Sequence, residues 1–323
     1  MGFLDRLKAV FGSRNKSTDR DKEPSKDRAK AAGKARNKGK AKKLDVDARF
    51  ELLREAISGT MSSFYMARDR QSGEIVGLKI ADPEKVDAFE ARFKGLNKPS
   101  EGEIAVEMKH PNIVETFEYG LTTKGLRYVI MEYLAGPGLN TLIATQAPIL
   151  DGNRVALIRQ MAEAIDYVHR AEFIHRDICP RNFICTPDAS GLKLIDFGLT
   201  LPNTKTFLQP GNRTGTPIYM APEISRRRWT DQRLDLFAFG VSAYQLCTFE
   251  FPWPVFDNPA LSALRYDTDP PRDILAVRPG LHPQLAAAIM KCLAADPNRR
   301  PATASEVLQM IRDVRSETAD AGN

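Results

Sequence analysis

The patterned part of the chain begins near residue 50, where short segments rich in β-branched and aromatic residues alternate with glycine and polar turns. Strands are predicted at 50–53, 64–69, 75–80, Phe117–Gly120 and Arg127–Met131. A helix is predicted over 85–108, with a break at Asn97-Lys98-Pro99. This part of the chain is therefore predicted to be a β-rich unit with one main helix.

After about residue 135 the apolar residues follow the period of a helix. In 153–170 the apolar stripe consists of Val155, Ile158, Met161, Ala162, Ile165 and Val168. Residues 235–247, 281–293 and 303–314 show a similar pattern. Strands followed by helices favour an α+β protein with two lobes and a cleft between them. The predicted boundaries are 46–134 for the small lobe, 135–316 for the large lobe and 317–323 for a polar tail.

The N-terminal arm differs in charge from the rest of the chain. Residues 1–43 hold 15 Lys/Arg and 5 Asp/Glu, whereas residues 44–323 hold 32 Lys/Arg and 36 Asp/Glu. An amphipathic helix is predicted over 1–12 and a disordered basic linker over 13–45. Such an arm fits a solubilising tail, an anionic membrane surface or an acidic partner. Because the positive charge is confined to the arm, no specific nucleic-acid binding is predicted.

The overall composition excludes several classes of protein. The 323 residues are 42% hydrophobic and 27% charged, as in an ordinary soluble protein. They contain no apolar run of about 18 residues, so no membrane-spanning helix is predicted. The 4 cysteines form no C-x-x-C pair, which favours free thiols and a cytoplasmic location.

Four motifs follow one another along the folded part. They are VGLKI with Lys79, HRDICPRN at 175–182, DFG at 196–198 and TGTPIYMAPE at 214–223. Together they resemble the signature set of protein kinases over about residues 50–315. The segments HPNIV and DPNRRP look similar to bacterial Ser/Thr kinases of the eukaryotic-like type. The resemblance implies a bilobal protein-kinase fold, in which 175–182 is the catalytic loop and 196–223 the activation segment.

The resemblance also implies phosphoryl transfer from ATP with Mg²⁺ as cofactor. Lys79 is expected to hold the α- and β-phosphates and to pair with a carboxylate of the following helix. Glu101 stands nine residues before His110, where the family places that carboxylate, and Glu103 is the second candidate.

The catalytic loop and DFG supply the remaining groups that the resemblance implies. Asp196 and Asn182 are expected to ligate the metal through oxygen atoms, which Mg²⁺ prefers. Asp177 is expected to accept the proton of the substrate hydroxyl or to orient that hydroxyl. The resemblance also implies supporting roles. Arg176 would bind a phosphate on the activation segment, and His175 would be a core residue. Asp235 would brace the catalytic loop, and Glu223 would pair with Arg300.

The adenine ring is expected between the lobes, again by resemblance. In YVIMEYL, Met131 takes the gatekeeper position and Glu132–Leu134 offers backbone hydrogen bonds. Ile184 would form an apolar floor, and Phe64 is expected to contact the nucleotide.

Two features depart from the family pattern. The three positions of the glycine-rich loop are Ile57, Gly59 and Ser62, so only one glycine remains where backbone should approach phosphate closely. Gly59 and Ser62 are still expected to line the nucleotide site. Cys179 stands where Ser/Thr kinases usually carry a Lys, and we hypothesise that Arg181 replaces the missing cation. A buried, inert Cys179 and a redox-active one are both open.

The expected substrate class is protein Ser/Thr, because Gly215–Tyr219 resembles the docking segment of Ser/Thr kinases. In that segment the hydroxyl of Thr216 would reach the catalytic Asp. Thr204, Thr206 and Thr214 are candidates for autophosphorylation. The alternative, favoured by the two departures, is a pseudokinase scaffold with weak or no phosphoryl transfer.

Overall fold

The computed structural model describes residues 43–54, 57–58, 61–258 and 263–318, with only the backbone at 57–58. The helix expected at 1–12, the linker up to residue 42 and Gly59 lie outside these residues. Leu44–Asn323 form one compact unit. Within the described residues, no helix is both long enough and apolar enough to cross a membrane.

The small lobe is built on one antiparallel sheet. Its strands are β1 (Phe50–Leu52), β2 (Ile57–Ser58), β3 (Ser62–Asp69), β4 (Ile75–Ala81), β5 (Thr116–Leu121) and β6 (Arg127–Glu132). They run in the order β1-β3-β4-β6-β5, with β2 paired to β3. The helices of this lobe are α1 (Val46–Arg49), α2 (Pro83–Glu90) and α3 (Glu101–Glu107). The five strands predicted from the sequence are present, and their ends differ by two residues or fewer.

The central strand β4 separates two faces of the sheet, because successive side chains of a strand point to opposite sides. On one face Val76 and Leu78 belong to a buried cluster with Phe50, Ala67, Tyr128 and Ile130. On the other face Lys79 is paired with Phe64 of β3 and Val129 of β6. The register therefore places the predicted phosphate-binding lysine on the most enclosed strand of the sheet.

The helix predicted over 85–108 is divided into α2 and α3. A 3₁₀ turn at Ala91–Phe93 follows α2, and α3 begins again after Ser100. The break includes Pro99, and the residue before a proline disfavours helical geometry. Gly102 lets α3 lie close to β5, because a Cβ at this position would stand 2.4 Å from the Cβ of Tyr119. This contact fixes the end of the helix that carries Glu101.

The large lobe is mostly helical. Its helices are α4 (Leu139–Ala144), α5 (Arg154–Arg170), α6 (Pro222–Ser225), α7 (Arg233–Thr248), α8 (Ile274–Val277), α9 (Pro283–Cys292) and α10 (Ala304–Met310). Two small sheets pair β7 (Phe173–Ile174) with β10 (Leu201–Pro202) and β8 (Phe183–Cys185) with β9 (Leu192–Leu194). Helix α7 is buried on nearly all sides, so it forms the centre of this lobe.

Both ends of the folded body extend past the boundaries predicted from the sequence. Leu44 donates its N–H to the carbonyl of Leu121 at 2.9 Å and so continues the sheet edge. Glu317, expected in the polar tail, is buried and accepts hydrogen bonds from Arg154 at 3.0 and 3.1 Å. The physical reason is that the buried Arg154 guanidinium needs a carboxylate to offset its desolvation.

Candidate active site

Lys79 lies between two carboxylates that come from distant parts of the chain. Its Nζ is 2.8 Å from Oδ1 of Asp196 and also bonds Oε1 of Glu101. β4 supplies the lysine, α3 supplies Glu101, and the start of the activation segment supplies Asp196. The three groups therefore form one ionic cluster, in which a buried ammonium is matched by carboxylates from two other elements.

The same contacts set the ionisation of the cluster. Burial alone would lower the pKa of Lys79, but the charges of Asp196 and Glu101 raise it above its usual value. Burial alone would raise the pKa of Asp196, whereas Lys79 and the N–H of Gly198 lower it to about 2. For Glu101, burial and the charge of Asp196 raise the pKa in spite of Lys79. Lys79 and Asp196 are thus charged at neutral pH.

The second carboxylate candidate, Glu103, caps the first turn of helix α3 instead of contacting Lys79. Its Oε2 accepts from the backbone N–H of Ser100 at 2.7 Å and from the Ser100 hydroxyl at 2.8 Å. The Ser100 hydroxyl in turn accepts from the N–H of Glu103 at 3.3 Å. This reciprocal capping box holds the first turn of α3, and it leaves Glu101 as the residue that contacts Lys79.

Both carboxylate oxygens of Asp177 are held by neighbours. Oδ1 accepts from the backbone N–H and the hydroxyl of Thr216 at 2.9 and 2.7 Å. Oδ2 accepts from Nη2 of Arg181 and Nδ2 of Asn182, each at 3.0 Å. The segment Gly215–Tyr219 and the catalytic loop therefore meet at this one side chain.

The backbone of the catalytic loop is braced from below by helix α7. Asp235 is fully buried and accepts from the N–H groups of His175 and Arg176, each at 2.8 Å. His169 Nε2 lies 2.9 Å from the same carboxylate. Arg176 has a φ of +69°, an unusual value for a residue other than glycine, and the two backbone bonds to Asp235 hold this turn. Asp235 is thus a support of the site rather than a reacting group.

Asp196 and Asn182 have the donor set that a hard cation needs. The side-chain nitrogen of Asn182 donates to Asp177, so its carbonyl oxygen is the atom left for a cation. Ile195, the neighbour of Asp196, donates its N–H to the carbonyl of Asn182 at 2.8 Å. This bond holds the backbone of Asn182 next to the residue that precedes Asp196. The residues present therefore fit Mg²⁺, which is bound by few carboxylates together with phosphate oxygens.

Three of the predicted adenine-binding residues, Phe64, Met131 and Leu134, belong to one apolar cluster. Val114, Val129 and Met131 are its buried members, and Phe64, Leu134 and Ile195 pack against it. The N–H of Glu132 donates to the carbonyl of Glu115 at 2.9 Å, so it is not available to a purine. Ile184 is half-buried in β8, where it pairs with Lys193.

Gly77 lies against two of the predicted site residues, Phe64 and Met131, and was not predicted from the sequence. A Cβ at this position would lie 2.8 Å from Cζ of Phe64 and 3.1 Å from Cγ of Met131. The ring of Phe64 therefore occupies the space that the missing side chain leaves beside the gatekeeper position. The signal in the sequence was a glycine in the middle of a strand, which often marks a close approach of another group.

The two departures from the family pattern have different surroundings. Ser62 is buried at the start of β3, and β2 brings the backbone of Ile57 beside Phe64. Cys179 is fully buried, and burial raises the pKa of its thiol to about 12. A thiol that stays protonated is a poor nucleophile, so the geometry favours an inert Cys179. Arg181 remains about half exposed, with its guanidinium on Asp177.

Comparison with known proteins gives one consistent result. The protein kinase domain family matches residues 50–311. A probable serine/threonine-protein kinase of Streptomyces coelicolor is 30% identical over 80% of this chain and 39% of its own length. Serine/threonine-protein kinase PknB of Mycolicibacterium smegmatis is 30% identical over 84% of this chain and 44% of its own. Serine/threonine-protein kinase pkn3 of Myxococcus xanthus is 29% identical over 80% of this chain and 48% of its own length.

The chain spans less than half the length of these curated relatives. The family match itself covers both lobes, from β1 to the C-terminal helices, and contains every residue of the ionic cluster and of the catalytic loop. The chain therefore belongs to the protein kinase family.

Proposed function

We propose that this protein transfers the γ-phosphoryl group of ATP to serine and threonine hydroxyls of proteins, with Mg²⁺ as cofactor. The observation that carries the proposal is Lys79, held between Glu101 and Asp196 at the junction of three elements. Phosphoryl transfer depends mainly on positioning and on neutralising charge. This arrangement supplies a fixed cation and a carboxylate–amide pair for the metal in one place.

Each side chain would contribute one step of positioning. Lys79 would bind phosphate oxygens, and Asp196 with Asn182 would hold the metal, whose charge would offset that of the phosphates. Asp177 orients the acceptor hydroxyl and takes its proton through Oδ2, the oxygen that faces Arg181 and Asn182. Arg181 adds a positive charge next to that carboxylate, as expected for a replacement of the missing lysine.

Thr216 supports serine and threonine as the substrates. Its hydroxyl and its N–H both hold Oδ1 of Asp177, so the docking segment is bonded directly to the catalytic carboxylate. A substrate residue lying along Gly215–Tyr219 would thus meet Asp177. The three relatives described above are named as serine/threonine-protein kinases, which supports the same substrate class.

Autophosphorylation of the activation segment is part of the proposal. Thr204 and Thr206 are exposed, whereas the half-buried Thr214 donates its hydroxyl to Asn212 at 2.9 Å. Arg176 is buried and donates to the carbonyl of Asn212 at 3.0 Å. Burial lowers the pKa of Arg176 to about 10. Among the described residues Arg176 interacts with the charge of Asp235 but has no carboxylate within 4 Å of its guanidinium, and a phosphate near Asn212 would supply such a partner.

A pseudokinase is the second candidate. It is favoured by the reduced glycine-rich loop, where Ser62 replaces a glycine, and by Cys179 in place of a cation. In that case the ionic cluster would hold the lobes in one arrangement and serve a scaffolding role.

Incubation with radiolabelled ATP and Mg²⁺ separates the two candidates. Wild-type protein should incorporate phosphate on Ser or Thr, and Asp177→Asn should incorporate almost none. Mass spectrometry then identifies which of Thr204, Thr206 and Thr214 is modified. Binding of ATP without any incorporation by wild-type protein would reject the kinase proposal and support the scaffold.

A further inference from the structure

An exposed cluster of three arginines and a tryptophan follows helix α6. The sequence Arg226-Arg227-Arg228-Trp229 leaves the helix at Ser225, and all four residues are exposed. Trp229 has 61% of its surface exposed, more than any other large apolar residue that the structure describes. We call Arg227–Trp229 the Arg-Trp patch.

The charges of the patch are not neutralised locally. Arg226 bonds Asp267 at 2.9 Å, and Arg233 bonds Asp231 at 2.6 Å. These two pairs use the nearby carboxylates of Asp267 and Asp231. For Arg227 and Arg228, the described part of the chain offers no carboxylate within 4 Å. The folded body as a whole, with the patch included, carries a slight excess of acidic residues, 36 against 32 Lys/Arg in residues 44–323.

The patch is tied to the segment that holds the catalytic carboxylate. Arg226 bonds Asp267 and the carbonyl of Leu264, whereas the hydroxyl of Tyr266 donates to the carbonyl of Ile218 at 2.8 Å. Tyr266 and Asp267 are adjacent, with Cα atoms about 3.8 Å apart. Arg226, which directly precedes the patch, and the Gly215–Tyr219 docking segment are therefore braced by the same short stretch of chain.

The patch is also anchored to its own helix. The N–H of Arg228 donates to the carbonyl of Glu223 at 2.8 Å, and Glu223 is locked by a buried two-bond contact with Arg300. Arg227 has a φ of +54°, in the left-handed region that non-glycine residues seldom adopt. The backbone is thus held in one conformation that presents Arg227, Arg228 and Trp229 together to solvent.

We propose that the Arg-Trp patch binds an acidic segment of the protein substrate while the acceptor residue lies at Asp177. This inference rests on the proposed function and adds a substrate class to it. The guanidinium groups of Arg227 and Arg228, which have no carboxylate partner within the described ranges, can bind carboxylates in a bidentate manner, and the adjacent indole offers apolar contact area. Lipid-binding clusters usually need four to eight basic residues, so a peptide fits this small patch better than a membrane.

The first test compares peptides that share one Ser/Thr acceptor. Each peptide carries one block of four residues, either before or after the acceptor, and the block is made of Glu in one peptide and of Gln in its counterpart. Wild-type enzyme should show a KM about three- to tenfold lower for a Glu peptide than for its Gln counterpart, as expected for two exposed ion pairs. The difference should shrink as salt is raised, because exposed charges are screened. Equal KM values at low salt would overturn the inference.

Variants then locate the effect. Arg227→Gln/Arg228→Gln should abolish the preference for Glu blocks while kcat on the Gln peptides stays unchanged. Arg68→Gln/Arg70→Gln removes two exposed arginines of the small lobe and serves as the charge-matched control. Persistence of the preference in the first variant, or its loss in the control, would also overturn the inference.

A binding experiment keeps the patch testable even if no phosphate is transferred. The chain has 2 tryptophans, and the other one, Trp253, is buried. Addition of a Glu peptide should change the fluorescence of wild-type protein and not that of Trp229→Phe. Binding without catalysis would reject the proposed function and retain the patch as an acidic-peptide site. If phosphatidylserine vesicles compete better than the peptide, the patch is a membrane surface and the inference fails.

Discussion

The catalytic loop of the large lobe and the strands β3 and β4 of the small lobe are built in different ways. Asp177 of the loop and Asp235 of helix α7, which supports the loop, each receive several hydrogen bonds from fixed partners. On the strands, Phe64 and Gly77 fit each other by shape alone. The loop keeps the family motif apart from Cys179, and the strands keep Lys79 but carry Ile57 and Ser62 at two positions of the glycine-rich loop.

The difference has a physical basis. A buried carboxylate that loses one donor keeps its full desolvation cost, so single changes in such a network are expensive. Apolar packing tolerates exchanges that conserve total volume, because a larger residue can be matched by a smaller neighbour. We therefore expect single substitutions in the hydrogen-bond network of the loop to cause large losses of activity or stability. On the strands, we expect a second substitution to compensate for the loss that a first one causes.

The largest effect is expected at Asp177. Asp177→Asn keeps the shape of the side chain but removes the group that takes the proton of the acceptor hydroxyl. The rate of phosphoryl transfer in single-turnover experiments should fall by about 10²- to 10⁴-fold, with ATP affinity nearly unchanged. A fall smaller than tenfold would show that Asp177 only orients the substrate.

Asp235 should control stability rather than chemistry. In the wild type, the two carboxylate oxygens of Asp235 bind the N–H groups of His175 and Arg176 and the ring of His169. The Asp235→Asn side chain has only one acceptor oxygen for these three partners. The free energy of unfolding in urea should fall by about 3–5 kcal/mol. Asp313→Asn, in an exposed ion pair, is the control and should change it by less than about 0.5 kcal/mol.

The effect of Asp235 should also depend on pH. Burial alone would raise its pKa, but the bonds from His169 and from the N–H of Arg176 lower the pKa below the ordinary 3.8. The stabilisation is therefore complete above about pH 5 and is lost as the pH falls through the lowered value. The gap between wild type and Asp235→Asn should shrink in acid. A gap that widens below pH 4 would contradict this assignment.

Gly77 and Phe64 test whether the strands compensate. Gly77→Ala places a methyl group 2.8 Å from the ring of Phe64, which should cost about 1–3 kcal/mol of stability and raise the KM for ATP. Phe64→Val removes the ring and leaves a gap. The double variant should recover most of both losses, a coupling that a double-mutant cycle measures directly. Strictly additive losses would show that the two residues do not share one space.

A smaller effect is expected at Arg181, which is about half exposed. Arg181→Ala removes the cation 3.0 Å from Asp177, and the single-turnover rate should fall about five- to tenfold, less than for an enclosed donor. Arg181→Lys keeps the charge and should recover part of the rate. An unchanged rate in Arg181→Ala would reject its role as the replacement cation.

Much of the fold could be predicted from the sequence because its signals are local. Strand and helix periodicity, and motifs such as HRDICPRN, depend on neighbouring residues and on their spacing. The break near Pro99 was predicted for the same reason, and it separates α2 from α3. The boundaries at Leu44 and Glu317 were missed because both residues are fixed by partners far away in the chain, Leu121 and Arg154.

The site shows the same division between local and distant signals. The sequence by itself determined which chemical groups are present: an amine at residue 79, carboxylates at 177 and 196, and an amide at 182. Only the tertiary structure decided that Glu101 and not Glu103 meets Lys79, and that Phe64 fits over Gly77. The first depends on the helix cap that holds Glu103, and the second on the cross-strand distance between Phe64 and Gly77. Both are set by how the elements pack in three dimensions, which the local sequence does not determine.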